Sequence, residues 1–237
     1  MFFIGPPFGN YIQTSKTISI VGSFTRYPRD GLYTQIVKTL RYSRKYKGWV
    51  NKIGLRNKGI DYALANYDPR TVISISILHP SDIDALNAKI PPHIPLEINV
   101  SCPNAEKAME TKGIAQFLHP KRKWCIVKLS PTCTFQQIDQ YYRDGFRQFH
   151  CSNTMPIDAG GLSGKTVMKE NERLITYIKS HYSDVEVIGG GGITTLDDIL
   201  YYYRLGADHM AFSTVLFCPY LFGKLYWGLP YSVRKKN

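Results

Sequence analysis

The residues best suited to chemistry lie in one stretch, Leu96-Glu97-Ile98-Asn99-Val100-Ser101-Cys102-Pro103-Asn104. Leu96, Ile98 and Val100 alternate with their neighbours as in a short strand. Proline cannot donate to a sheet and asparagine favours turns, so the strand should end at residues 101–104. A thiol, Cys102, therefore falls just past a strand's C-terminal end, flanked by two amides, Asn99 and Asn104. Each amide offers a donor pair and an acceptor, so two of them can read the edge of a planar imide or amide ring.

Two further places suit an anionic ligand. Four consecutive glycines, residues 189–192, end an apolar run just ahead of a helix start, and Ser213-Thr214 end the next apolar run. Backbone N–H groups and helix dipoles at such positions hold phosphate, which points to Gly191, Gly192, Ser213 and Thr214. Lys128 closes an otherwise apolar strand, Trp124-Cys125-Ile126-Val127. A desolvated lysine there calls for an anionic partner, and a reduced flavin ring would be one.

The elements that position these residues alternate. Apolar strand-like runs and helical segments follow one another some eight times, the pattern of an α/β protein with a parallel sheet. The polar and glycine-rich groups all fall at strand C-terminal ends, as they do at the active face of a small (β/α)8 TIM-type barrel. An open doubly wound sheet fits less well, because no G-x-G-x-x-G follows the first strand. Residues 26–50 are basic and aromatic and read as a hairpin excursion, residues 34–40 pairing with 49–51. They form either a solvated surface or a surface for an anion or nucleic acid. Residues 105–118 read as a helix and 160–165 as a glycine-rich loop. The aromatic C-terminal segment, residues 218–233, reads as a last helix and strap or as a membrane-surface contact.

Composition narrows the classes. The chain has 237 residues, 43% of them hydrophobic, which suits a single domain over residues 1–237. A net charge of +12 favours anionic partners. The five cysteines are odd in number and never spaced C-x-x-C, which argues against a disulfide framework or zinc site and fits a reducing, cytoplasmic setting. The N-terminal segment lacks a basic n-region, and no apolar run reaches spanning length, so neither a signal peptide nor a transmembrane segment is expected.

Taken together, residues 51–59, 96–104, 127–129, 153–154, 160–164 and 187–193 resemble, in chain order, the motifs of the dihydroorotate dehydrogenases. The resemblance spans about residues 18 to 222. It implies an FMN-carrying βα barrel that oxidises dihydroorotate to orotate in pyrimidine biosynthesis. Cys102 would be the base that removes a proton from the substrate ring while a neighbouring carbon gives hydride to the flavin. Asn51, Asn99, Asn104 and Asn153 would hold the substrate, with Thr154, Gly54 and Leu55 beside them. Gly22, Ser23, Asn99, Lys128 and Gly164 would line the FMN, and Gly191, Gly192, Ser213 and Thr214 would take its phosphate. The implied partners are the small-molecule substrate and a second copy of the chain; nucleic acid is disfavoured, although the charge leaves it open. No metal is implied.

The chain departs from the family pattern in places. Gly22-Ser23 stand where the soluble class carries a lysine, and the first helix is nearly absent between Asn10 and Thr17. The segment between Asn153 and Gly160 is short, and Ser213-Thr214 lack the usual glycine. A cysteine base belongs to the soluble class, whereas residues 160–165 resemble the membrane class. Two other readings stand beside the first: a non-catalytic flavin-barrel binding protein, and an enzyme like the tRNA-dihydrouridine synthases.

Overall fold

The computed structural model describes residues 1–100 and 111–230. In chain order the elements are β1 (Phe2–Ile4), β2 (Ile18–Phe24), α1 (Leu32–Thr39), β3 (Arg41–Ser43), β4 (Gly48–Asn51), α2 (Gly59–Ala65), β5 (Thr71–Ile75), α3 (Ser81–Lys89) and β6 (Leu96–Asn99). There follow β7 (Cys125–Lys128), α4 (Phe135–Arg143), β8 (Gln148–Cys151), β9 (Met155–Ile157), β10 (Gly160–Ser163), α5 (Met168–His181), β11 (Glu186–Gly190), α6 (Leu196–Arg204), β12 (His209–Phe212) and α7 (Pro219–Gly228). Eight strands close a parallel barrel in the order β1-β12-β11-β8-β7-β6-β5-β2, with helices in the connections, so the fold is the expected (β/α)8 barrel.

Side chains alternate across each strand, and the two faces are cleanly sorted. Ile73, Ile75, Leu96, Ile98, Val127, Phe149 and Val187 join the large apolar layer. Their neighbours Phe3, Ile20, Val72, Trp124, Ile126, Ile188 and Ala211 form a second, smaller cluster. That second face is the barrel interior, and its lower part is an apolar plug in which Phe3 meets Trp124 edge-on at 5.4 Å. The same alternation places Ser74, Glu97, Asn99, Lys128 and His150 on the inner face above the plug. All of them are buried.

A second sheet, β3-β4-β10-β9, is antiparallel and stands over one side of the barrel. It corrects two expectations. Residues 34–39 belong to helix α1, with Leu40 capping its C-terminus; the hairpin is β3 with β4, Arg41 opposite Val50 and Ser43 opposite Gly48. The β-branched residues suggested a strand, but Leu32, Ile36 and Leu40 repeat at helical spacing and lay a partial stripe on the excursion. Residues 160–163 form strand β10, with Gly161 opposite Asn51. Gly160 makes that pairing possible: a Cβ there would sit 2.3 Å from the Asn51 carbonyl oxygen. Trp49 stacks on Phe217 at 4.2 Å, and Phe217 meets Phe8 at 4.9 Å, which anchors the excursion to the barrel rim.

A third correction concerns the helix expected over residues 105–118, of which 105–110 lie outside the described residues. From 111 onward this connection holds a single 3-10 turn, Ile114–Phe117, entered through Gly113 at φ 91°. Between β1 and β2 stands only the 3-10 turn Phe8–Asn10, matching the expected loss of the first helix. Among the described residues no helix is long and apolar enough to cross a membrane. Helix α7 buries Leu225 and leaves Tyr220 and Trp227 exposed.

Candidate active site

At the C-terminal mouth of the barrel, β2, β5, β6 and β8 deliver a connected set of polar side chains. Asn99, the last residue of β6, donates through Nδ2 to Ser23 Oγ at 3.1 Å. Its Oδ1 accepts from Asn153 Nδ2 at 2.9 Å. Asn153 lies just past β8, where its own N–H donates to the Leu129 carbonyl at 3.0 Å and its Oδ1 accepts the Thr154 N–H at 2.9 Å. Ser23 Oγ in turn lies 2.8 Å from Ser74 Oγ. Gly22, beside it, is held from both sides by Asn10, whose Oδ1 accepts the Gly22 N–H at 2.7 Å while its Nδ2 donates to the Gly22 carbonyl at 3.3 Å. A side chain at Gly22, φ 125°, would drive its Cβ to 2.5 Å from the Ser74 carbonyl oxygen. The structure thus brings Ser23, Asn99, Asn153 and Thr154 together.

Below them sits a charged group that sequence reasoning missed. Glu97 is fully buried on the inner face of β6. Its Oε1 accepts from Ser74 Oγ at 3.0 Å and lies 3.5 Å from Lys128 Nζ. Its Oε2 lies 2.6 Å from His150 Nδ1. Burial pushes the Glu97 carboxyl up, but the Lys128 charge, His150 and the Ser74 hydroxyl outweigh it and hold the group well below the usual carboxylate range. Burial lowers His150, with Glu97 opposing, so at neutral pH the ring is neutral. Since a carboxylate only accepts, the His150 proton sits on Nδ1 and is donated to Glu97. The anionic partner that Lys128 required is therefore present within the protein. A signal existed: strands of a parallel barrel are covered on both faces, so a glutamate inside one must face a partner rather than solvent.

The neighbouring quadrant, at the ends of β11 and β12, is built from backbone. Gly190 lies opposite Ala211, so Gly191-Gly192 and Ser213-Thr214 leave the barrel at adjacent strand ends. Gly191 and Gly192 adopt φ 82° and 77°, a region that glycine enters without a Cβ penalty. A Cβ at Gly191 would come within 2.7 Å of Val167, and one at Gly192 within 2.6 Å of Met168 and 3.1 Å of the Gly164 carbonyl oxygen. Gly164 and the glycine turn are thereby brought together. Tyr202, another group not foreseen, donates its hydroxyl to the carbonyls of Gly190 and Gly191 at 3.0 and 2.8 Å, and Asn171 Nδ2 also bonds the Gly190 carbonyl. Helix α6 starts with Thr195 and Asp198 in a reciprocal cap, and Lys165 pairs with Asp198 at 2.9 Å. Ser213 Oγ donates to the Pro6 carbonyl at 3.1 Å.

The remaining candidates divide. Asn51 ends β4 and pairs with Gly161 in the excursion sheet. Gly54 and Leu55, at φ 73° and 56°, are tied into their loop by Arg29, which donates to the Gly54 carbonyl at 3.3 Å, and by Asn57, which donates to the Leu55 carbonyl at 2.7 Å. Cys102 and Asn104 lie outside the described residues. Of the other thiols, Cys125, Cys133 and Cys151 are buried. Burial pushes Cys125 and Cys133 up to about 12 and Cys151 higher still, so none of the three is a base at neutral pH.

Comparison with known proteins agrees with this architecture. The family model described as dihydroorotate dehydrogenase matches residues 5–225. The catalytic subunit of dihydroorotate dehydrogenase B (NAD(+)) from Enterococcus faecalis is 29% identical over 271 aligned positions, covering 97% of this chain and 84% of the relative. The subunit of the same name from Listeria welshimeri is 27% identical, covering 97% and 86%. Both alignments are longer than the chain itself, so these relatives carry insertions that this chain lacks. The ligand-free dihydroorotate dehydrogenase structure from Eimeria tenella superposes with a TM-score of 0.70 at 18% identity, covering 94% of this chain and 81% of that one, and shares its fold. The chain belongs to the dihydroorotate dehydrogenase family of oxidoreductases.

Proposed function

We propose that this protein oxidises dihydroorotate, or a close dihydropyrimidine, to orotate with FMN as cofactor. The observation that carries the reading is the Ser23–Asn99–Asn153 cluster at the barrel mouth, set above the Lys128 ammonium and beside a glycine turn on the adjoining strands. That combination suits a planar ring bearing amide edges together with a phosphate-tailed cofactor.

The residues present fit FMN. Gly191 and Gly192 hold a turn where side chains would collide with Val167 and Met168, so bare backbone is what this turn presents. With Ser213 and Thr214 on the next strand end they would take the phosphate. Gly22, Ser23, Asn99, Lys128 and Gly164 would line the ring system. When bound, FMN supplies a two-electron acceptor for hydride.

The chain's own residues do the remainder. Asn99 and Asn153, with Asn51, Asn104 and Thr154, bind and orient the substrate ring and its carboxylate, and Gly54 and Leu55 belong to the loop beside it. Cys102 Sγ takes the proton from one ring carbon as hydride leaves its neighbour, so the C–C single bond between them becomes double. A free thiol titrates near pH 8.5, so the rate of this step rises with pH through that range. Relatives named as catalytic subunits of dihydroorotate dehydrogenase B (NAD(+)) align with 97% of this chain, which supports the same substrate here. The test is to incubate purified, FMN-loaded protein with dihydroorotate and an artificial electron acceptor and to follow orotate by its ultraviolet absorbance. Orotate formation supports the reading; its absence with dihydroorotate and with other dihydropyrimidines overturns it.

A further inference from the structure

Glu97 reaches the mouth cluster through Ser74, and every polar contact along that path runs in one direction. An ionised carboxylate accepts only, so Ser74 must spend its single hydroxyl proton on Oε1 at 3.0 Å. The 2.8 Å contact between Ser74 and Ser23 is then donated by Ser23. With its proton spent, Ser23 Oγ can only accept from Asn99, which turns the Nδ2 side of that amide toward it at 3.1 Å. Asn99 Oδ1 is thereby turned to Asn153 and accepts its Nδ2 at 2.9 Å. Ser74 and Glu97 are wholly shielded from solvent and Asn99 nearly so. The other carboxylate oxygen is occupied by His150 at 2.6 Å, and Lys128 stands 3.5 Å from Oε1.

We propose that Glu97 is a positioning residue for the substrate site: its charge, passed through Ser74 and Ser23, sets which edge of Asn99 and Asn153 donates and which accepts, while its direct pairing with Lys128 offsets the lysine charge. The proposal rests on the assignment of Asn99 and Asn153 to the substrate and of Lys128 to FMN. It gives a buried acid that touches neither ligand two separable effects, one through the relay and one through space.

Ser74→Ala cuts the relay and leaves the Glu97–Lys128 pair. Glu97→Gln removes the charge and also lets the relay run either way, since an amide both donates and accepts. The experiment uses FMN-loaded protein and two readouts: the orotate Kd from calorimetry, and the flavin midpoint potential from spectroelectrochemical titration. Ser74→Ala is expected to weaken orotate about tenfold, the scale of one lost buried hydrogen bond to an oriented group, with FMN content and potential unchanged. Glu97→Gln is expected to weaken orotate similarly and also to raise the potential, because a Lys128 charge no longer paired with the Glu97 carboxylate favours reduced, anionic flavin. Parent-like orotate binding in Ser74→Ala overturns the relay. An unshifted potential in folded Glu97→Gln overturns the compensation. Should Glu97→Gln not fold, His150→Gln and His150→Leu probe the other oxygen: a potential that moves in His150→Leu and is restored in His150→Gln supports the pairing, and one that moves in neither overturns it. A parent that binds neither FMN nor orotate overturns the underlying functional reading itself.

Discussion

The two halves of the barrel mouth are built in different materials. On the β2–β5–β6–β8 side the groups at the mouth are side chains, Ser23, Asn99 and Asn153, braced from beneath by Ser74, Glu97, Lys128 and His150. On the β11–β12 side the groups are backbone, in a glycine turn that Tyr202 and Asn171 hold through its carbonyls. The difference teaches what each half can tolerate. A backbone site has no side chain to replace, so it fails when one is added. A side-chain site fails by degrees, according to how many partners each deletion strands.

The largest effect is therefore expected on the backbone side. Gly191→Asp places a Cβ 2.7 Å from Val167 in a left-handed conformation and adds a negative charge where a phosphate would lie. The purified variant should carry no flavin absorbance while keeping the circular dichroism of the folded barrel; parent-like flavin content would remove the phosphate assignment. Next comes the base. Cys102→Ala should retain FMN and lower the rate of flavin reduction about 10²–10⁴-fold, the usual range for a missing general base. Its control is Cys151→Ala, which should leave that rate unchanged, because Cys151 is buried with its thiol pushed far up. If the two variants exchange these outcomes, the base has been misassigned.

A graded loss is expected on the side-chain side. Asn153→Ala removes the donor 2.9 Å from Asn99 Oδ1 and should raise the KM for dihydroorotate about 10- to 100-fold, from roughly 1–3 kcal/mol for one lost buried hydrogen bond, with flavin content intact. A loss of flavin instead would assign Asn153 to the cofactor.

The smallest effect is on stability against pH. His150 is lowered by burial, so between its ordinary value of 6.5 and its folded value the unfolded chain binds a proton that the folded chain refuses. Glu97 is also held below its ordinary 4.5, burial being outweighed by Lys128 and His150, so acidification below that value again favours the unfolded chain. Both contributions are complete above pH 6.5 and are lost as pH falls. The melting temperature should therefore drop on going from pH 7 to 5. His150→Gln should flatten that drop, by at most about 1.4 kcal/mol per pH unit, the limit for one proton. His209 is lowered too, but it is common to both proteins and cancels in the difference.

Much of the fold was legible because it rests on alternation. Residues 71–78, 96–100, 124–129 and 185–188 read directly as strands and overlap β5, β6, β7 and β11, and the glycine run at the end of β11 marked the backbone half of the mouth. What escaped was what depends on contacts between distant segments. Glu97 and His150 lie 53 positions apart, and each looks unremarkable alone; only the barrel register sets both beside Lys128. Residues 160–163 read as a loop because glycines have no strand preference, yet the lack of a Cβ at Gly160 is what admits the pairing with β4. Helix α1 was hidden by β-branched residues on an excursion where no α1 residue is buried, so tertiary packing left little imprint on its sequence.

The most direct test of the account is an anaerobic titration of the purified, FMN-loaded protein with dihydroorotate, followed in the visible flavin band. The account predicts bleaching that reaches completion near one dihydroorotate per flavin, with orotate as the product. A flavin band that stays oxidised in excess dihydroorotate, in a protein that dithionite does bleach, would contradict it.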